Sequence, residues 1–237
     1  MISKKKRFYI NIISYLLLIL FAFICVFPFY WMILSALKPD SEIRSAFPSL
    51  ITRMPTLKNF TKVLYTAGFL KYIKNSFLVS IIACFVSMVI AVMAGYAFSR
   101  YYKERMIKIS NFAMLVSQMI PGVLLLVPLY MIMRNFGFLE SYISLILSYT
   151  TFVIPLCTFM MSSFFDTVPI TLEEAAEIDG TNKFQMMVKI ILPISIPSLV
   201  STGLYAFIQA WNEFMFGYIF ISTDQYRTLT PCLLYTS

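Results

Sequence analysis

Residues 169–197 read PITLEEAAEIDGTNKFQMMVKIILPISIP. Thr171 followed by Glu174 has the spacing of a capping box, in which hydroxyl and carboxylate each satisfy a free backbone N–H, so a helix is predicted to start there. Leu172, Ala175, Ala176 and Glu177 favour helix. Asp179-Gly180 ends it, because glycine enters the left-handed conformation past a helix end without a Cβ penalty. A second helical segment is predicted from about Asn182 to Leu192, with Phe184, Met187 and Ile191 on one face through spacings of three and four. Two short helices therefore meet at a glycine turn. The first carries Glu173, Glu174, Glu177 and Asp179, four of the eleven acids in the chain. This composition fits a solvated amphipathic loop as well as a docking face.

What lies on either side is apolar. Hydrophobic residues make up 59% of the chain and charged residues 13%, and mean hydropathy is +0.80. A soluble domain of this length needs more polar surface than that, so the chain belongs in a bilayer. A spanning helix takes about 20 apolar residues. Five runs qualify: Phe8–Leu37, Asn75–Ser99, Ile109–Met133, Ser141–Phe165 and Ile190–Asn212, the last resuming after Glu213 as Phe214–Ile221. The first run follows Lys4-Lys5-Lys6-Arg7 but is too long for a signal peptide and lacks a nearby cleavage site, so it reads as a retained anchor. The absence of histidine removes the commonest general base and metal ligand. No catalytic residue and no metal site are expected. Cys25, Cys84 and Cys157 lie inside apolar runs and are expected to be buried, reduced thiols.

Charge and small residues add orientation and packing. The basic amino terminus and the loop holding Arg100, Lys103, Arg105 and Lys108 belong in the cytoplasm by the positive-inside rule. The +8 net charge then faces anionic headgroups rather than nucleic acid. Ala83, Ser87, Ala91, Gly95 and Ser99 recur every fourth residue, a small-residue ridge that lets another helix approach closely, either within this chain or on another subunit. The third run contains Gln118, Pro121, Gly122 and Pro128, and its prolines allow bends. Gln118 is expected to face protein or a water-filled path. Glu213 is the only acid deep in an apolar stretch, which marks Trp211, Asn212 and Glu213 as translocation-path candidates; an interfacial position for Glu213 is the other reading.

Glu174-Ala175-Ala176, Gly180 and Ile190-Ile191-Leu192-Pro193 resemble the EAA loop of permeases in binding-protein-dependent ATP-binding-cassette importers. LEEAAEIDG, with Phe184 and Pro197 downstream, resembles the sugar-transporting branch, specifically its maltose-permease-like second subunit. YIKNSFLVS (72–80), QMIPG (118–122) and WNEFMFGYIF (211–220) agree, so the resemblance extends to about Thr230.

This resemblance implies an all-α polytopic membrane protein with a type I ABC importer transmembrane domain over residues 1–231 and a coupling loop over 166–197. Glu173, Glu174, Ala175, Ala176, Asp179, Gly180, Phe184, Leu192 and Pro193 would dock into a cleft of an ATPase. The chain itself would bind no cofactor and catalyse no reaction, ATP-Mg being held by the partner. The implied partners are a second permease subunit, two ATPase subunits, an extracytoplasmic solute-binding protein and the lipid of a bacterial-type cell membrane, with the amino terminus cytoplasmic. A phosphorylated polyol or an amino acid is an alternative solute to sugar. Residues 232–237 depart from the family pattern and read as a translated sequencing-library adapter, so a non-native tail in place of a sixth span is expected.

Overall fold

A computed structural model describes residues 4–45, 47, 49–66 and 68–235, and all regular structure among them is helical. It divides into two compact units, residues 1–69 and 70–237, described in turn.

The first unit is dominated by α1 (Lys4–Leu37), 34 residues long. At 1.5 Å per residue that is about 50 Å, longer than a hydrocarbon core of about 30 Å. Every described side chain from Arg7 to Tyr30 is exposed, Cys25 among them. The expectation that Cys25 is buried is therefore wrong: an apolar side chain on a spanning helix has no need of protein neighbours, because lipid solvates it equally well. The carboxyl end of α1 is tied down. Asn59 Nδ2 donates to the carbonyls of Ala36 (3.0 Å) and Lys38 (2.7 Å), which otherwise have no intrahelical partner. Two single turns, α2 (Asp40–Ile43) and α3 (Lys58–Thr61), complete the unit, α3 running into a π-helical turn at Lys62–Thr66.

The second unit opens with α4 (Phe69–Arg100), of which it holds all but the first residue. Then come α5 (Arg105–Gln118), a 3₁₀ turn (Gly122–Leu125), α6 (Leu126–Asn135) and α7 (Tyr142–Thr167). The short helices α8 (Ile170–Ile178), α9 (Lys183–Met186) and α10 (Leu192–Ile194) lead into α11 (Ile196–Asn212), α12 (Met215–Phe220) and α13 (Leu229–Tyr235). Of the 232–237 tail, residues 236 and 237 lie outside the described residues.

Among the described residues, Arg7–Leu37, Phe69–Arg100 and Tyr142–Thr167 are each long and apolar enough to cross a membrane, and the number is up to five if each of two bent helix pairs is one span. The third and fifth runs are therefore not continuous spans. The third bends by 100° between Gln118 and Gly122, and the fifth by 81° at Ser195. Pro121 lacks the N–H that would continue α5 and disfavours helix in the residue before it. Pro128 causes no break, because it is the third residue of α6, where an N–H has no intrahelical partner. Residues 190–194 belong to the short helices before the bend, so the fifth span begins only at Ile196.

The small-residue ridge of α4 faces α7. Ala83 (1% exposed), Ser87 and Ala91 (both 0%) are sealed. A Cβ on Gly95 would lie 2.9 Å from Met161 Cβ and 3.0 Å from both Ser162 N and Thr158 O, so only hydrogen fits. Lipid tails are as apolar as leucine, so what holds these helices together is the dispersion contact that close approach allows. Around this seam, Ala91, Met161, Phe165, Ala176, Met186 and Ile191 form one buried cluster that joins α4 and α7 to the short helices. A second cluster, with Val79, Leu145, Tyr149 and Phe220, fills the opposite end.

Candidate functional site: a docking segment and an aromatic cavity

Pro169 is the N-cap of α8, with extended backbone and no side-chain capping bond. The capping box predicted at Thr171 and Glu174 does not form. The helix already begins at Ile170, so Thr171 is inside the first turn, where its hydroxyl cannot cap its own helix. The reciprocal box belongs to α9. Asn182 Oδ1 accepts from Gln185 N–H at 2.8 Å, and Gln185 Oε1 accepts from Asn182 N–H at 3.3 Å.

Between the two helices the predicted glycine turn is present. Gly180 has φ +79°, its N–H donates to Glu177 O (3.0 Å), and Thr181 N–H donates to Ala176 O (3.1 Å). This pair of bonds is a Schellman motif, which requires the left-handed residue between them. Beyond α9, a π-helical turn at Met187–Ile191 widens the spiral. The face predicted from Phe184, Met187 and Ile191 is therefore split: Ile191 (0%) is sealed together with Met186 (1%) and Met187 packs against the same cluster, while Phe184 is 76% exposed. Leu192 is half-buried and Pro193 exposed.

The four acids of the segment separate into two roles. Glu174, Glu177 and Asp179 are exposed, as are Ala175 and Gly180. Beside them stand Ile178 (86% exposed) and Phe184, large apolar groups at the tip of a polar turn. Glu173 points the other way and is 8% exposed. Arg100 Nε donates to its Oε1 at 2.6 Å and Tyr96 hydroxyl to its Oε2 at 2.7 Å. Glu173 is therefore not part of the exposed acidic face. Removing one partner of a buried ion pair strands the other charge, at a cost of about 3–5 kcal/mol. Arg100 and Tyr96 escape a sequence reading because they lie more than 70 positions from Glu173; Arg100 counts there only as a basic loop residue.

A second feature lies among α7, α11 and α12. A cavity of ≈ 260 Å³ is lined by Gly122, Tyr149, Phe152, Tyr205, Gln209, Glu213 and Phe216, among others. Glu213 ends α11 and accepts from the N–H groups of Met215 (2.9 Å), Phe216 (3.2 Å) and Gly217 (3.3 Å), capping α12. A carboxylate is well placed at a helix amino terminus, where the free N–H groups and helix dipole are positive. Tyr149 is 3% exposed, and its hydroxyl is buried without a hydrogen-bond partner among the described residues. Of the other path candidates, Trp211 stacks on Phe207 and does not line the cavity, Asn212 is exposed, and Gln118 is exposed at the end of α5. Tyr149 and Gln209 line the cavity yet carry no sequence signal: one sits in an aromatic-rich run and the other is an isolated amide.

The end of the unit away from α8 is closed by polar ties. Glu140, at φ +57°, accepts from Ser222 N–H (2.8 Å), Thr223 N–H (2.9 Å) and Thr223 Oγ1 (2.8 Å). Asn75 Nδ2 donates to Gln225 O and Arg227 O. Burial pushes the Glu140 carboxyl up, but the Thr223 and Ser222 bonds outweigh it and hold it below its ordinary range. The bonds to Glu140 therefore contribute fully above the unfolded value of about 4.3 and are lost as pH falls through the lower folded value. Amide exchange should show Ser222 and Thr223 protected on acidification past about pH 4.3, with protection collapsing only below it. Glu140→Gln should remove that acid step; loss of protection already at mildly acidic pH would contradict the assignment.

Residues 87–231 match the family of binding-protein-dependent transport system inner membrane components. The chain belongs to that family. Among relatives of this inner membrane component is the trehalose/maltose transport system permease protein MalG of Thermococcus litoralis, 35% identical over 89% of this chain and 76% of that one. Another is the sulfoquinovosyl glycerol transport system permease protein SmoH of Agrobacterium fabrum, 34% identical over 86% and 71%. A bacterial ABC transporter that imports the acidic polysaccharide alginate has the same fold, with TM-score 0.85 over 100% of this chain and 82% of that chain at 19% identity. The component is thus a multi-pass membrane protein of a binding-protein-dependent transporter.

Proposed function

We propose that this chain is one of two permease subunits of an ATP-driven carbohydrate importer, paired with two ATPase subunits and an extracytoplasmic solute-binding protein. The observation that carries this reading is the EAA segment itself: a nine-residue helix that packs through Ala176 against Met186 and Ile191 and presents Glu174, Ala175, Glu177 and Ile178 outward, with Phe184 of α9 exposed beside them. Small residues allow close docking, exposed acids meet basic cleft residues, and the two exposed apolar side chains supply anchors. The segment shares one end of the second unit with the basic Arg100–Lys108 loop, which supports a cytoplasmic docking face and a cytoplasmic amino terminus. The names of the relatives, trehalose/maltose and sulfoquinovosyl glycerol permeases, support carbohydrate as the solute class.

The ≈ 260 Å³ cavity is the part of the solute path that this subunit contributes. Phe152, Tyr205 and Phe216 offer ring faces for the apolar side of a sugar, and the exposed Gln209 amide offers hydrogen bonds. The test is reconstitution of the four-component system in proteoliposomes, with ATP hydrolysis and uptake measured against a panel of neutral sugars, polyol phosphates and amino acids. Stimulation by an amino acid and by no sugar sinks the carbohydrate reading. In the same assay Gln209→Leu should raise the half-saturating solute concentration about 2- to 10-fold, the worth of one hydrogen bond, with the maximal rate little changed. An unmoved half-saturation removes Gln209 from the path.

A further inference from the structure

We infer that Arg100 and Glu173 form an internal strut that carries movement of α8 into the spanning helix α4, a role that rests on the docking function proposed for the EAA segment. The carboxylate of Glu173, in the first turn of α8, is held at both oxygens, and both donors come from α4: Arg100 at 2.6 Å and Tyr96, one turn earlier, at 2.7 Å. The guanidinium is itself fixed. Its Nη1 and Nη2 donate to the carbonyls of Phe165 (2.9 Å) and Val168 (3.1 Å) at the carboxyl end of α7, and its Cζ lies 5.9 Å from the centre of the Tyr96 ring. The pair is shielded, with side-chain exposures of 9% and 10%. One planar group therefore joins the last residue of α4, the end of α7 and the start of α8.

Geometry separates this from a bland stabilising pair. Apart from an exposed hydrogen bond from Lys183 Nζ to the Tyr101 hydroxyl (2.8 Å) on a flexible stem, the other described anchors of the EAA segment are apolar contacts, which slide. A two-point, charge-assisted link does not slide: it moves as a body or breaks. A docked partner that displaces the exposed face of α8 therefore displaces the end of α4 as well. That span carries the Gly95 seam only five residues back, so motion is handed on to α7. The fork of arginine matters, because the ammonium of lysine cannot serve Glu173 and two carbonyls in one plane.

The complete transporter in proteoliposomes tests this by ATP hydrolysed per solute moved. Arg100→Gln should leave assembly and unstimulated hydrolysis intact while raising that ratio about 5- to 150-fold, the range expected when coupling between two sites is lost. Arg100→Lys should raise it less, and the exchange Arg100→Glu with Glu173→Arg should bring it part of the way back. A ratio equal to wild type in Arg100→Gln overturns the inference, as does a proportional fall of assembly, hydrolysis and uptake with the ratio unchanged. If Arg100→Gln does not assemble, Tyr96→Phe, which removes one hydrogen bond and no charge, decides: a raised ratio supports the strut and an unchanged one overturns it. Coupled uptake by the wild type in the same vesicles reports on the docking function itself, so a failure of that reading is distinguishable from a failure of the strut.

Discussion

Gly95→Leu is expected to abolish recovery of monodisperse, detergent-extracted protein. The position is closed on three sides by atoms that cannot rotate away: Met161 Cβ at 2.9 Å, and Ser162 N and Thr158 O, both backbone, at 3.0 Å. Even alanine forces α4 and α7 apart by a few tenths of an ångström, an overpacking cost of about 1–3 kcal/mol. Leucine adds three carbons more where one does not fit, and dispersion falls steeply with separation. The damage spreads because everything beyond Gly95 on α4 is aligned by this contact. Ser99 donates to Asp166 one turn on, and Arg100 follows. Gly95→Ala should extract with a lowered unfolding temperature, whereas Met93→Leu, at a side chain 68% exposed, should behave as wild type. A Gly95→Leu protein that extracts and melts like wild type would show that the two helices do not meet at this seam.

That seam was legible because its signal is local: a four-residue spacing of small side chains survives any rearrangement of the rest of the chain. The Gly180 turn was legible for the same reason, since a glycine between two helix-forming segments has few uses other than a left-handed cap. The bends were half legible. Pro121 and Pro128 look alike in sequence, and only their place relative to a helix start decides that one breaks the chain and the other does not. The misplaced capping box has a similar origin. Thr171 and Asn182 both have a partner three residues on, and Pro169 pre-empts the first by starting its helix early. The π-helical turn at Met187–Ile191 rotates the buried face away from Phe184 by adding part of a residue to a turn, which no spacing rule anticipates.

What was illegible is what depends on long-range pairing. Glu173 and Glu174 are adjacent and chemically identical, yet one is sealed against Arg100 and the other exposed. Helical geometry alone places them about 100° apart, but which side faces the protein is decided by α4, more than 70 positions away. The same holds for the cavity. Glu213 stands out in sequence as an acid in an apolar run, while its cavity neighbours Tyr149 and Gln209 carry no mark of their own. Its three N–H partners show that this carboxylate shapes the break between α11 and α12 as well as lining the cavity.

Gly180→Val is expected to abolish solute-coupled ATP hydrolysis while leaving insertion and the α4–α7 seam intact. Nothing lies within 4 Å of where a Cβ would stand, so the obstacle is conformation and not space. At φ +79° an ordinary residue pays about 1–2 kcal/mol, and a β-branched one more. The whole global fold does not have to absorb that cost. It falls on the two bonds of the Schellman motif, Gly180 to Glu177 and Thr181 to Ala176, at the exposed tip of the segment. The last turn of α8 then unwinds, and with it the placement of Ile178 and Asp179 relative to Phe184 on α9. Asparagine tolerates the left-handed region, so Gly180→Asn should retain most activity. Glu174→Lys is a third variant of separate meaning: it leaves the turn alone, reverses one exposed charge, and should prevent co-purification with the ATPase subunits. Measured together, uptake should be highest in the wild type, lower in Gly180→Asn and lowest of the three in Gly180→Val, with Glu174→Lys inactive for want of its partner. If the valine and asparagine variants transport equally well, the left-handed turn is not what holds the docking face in shape.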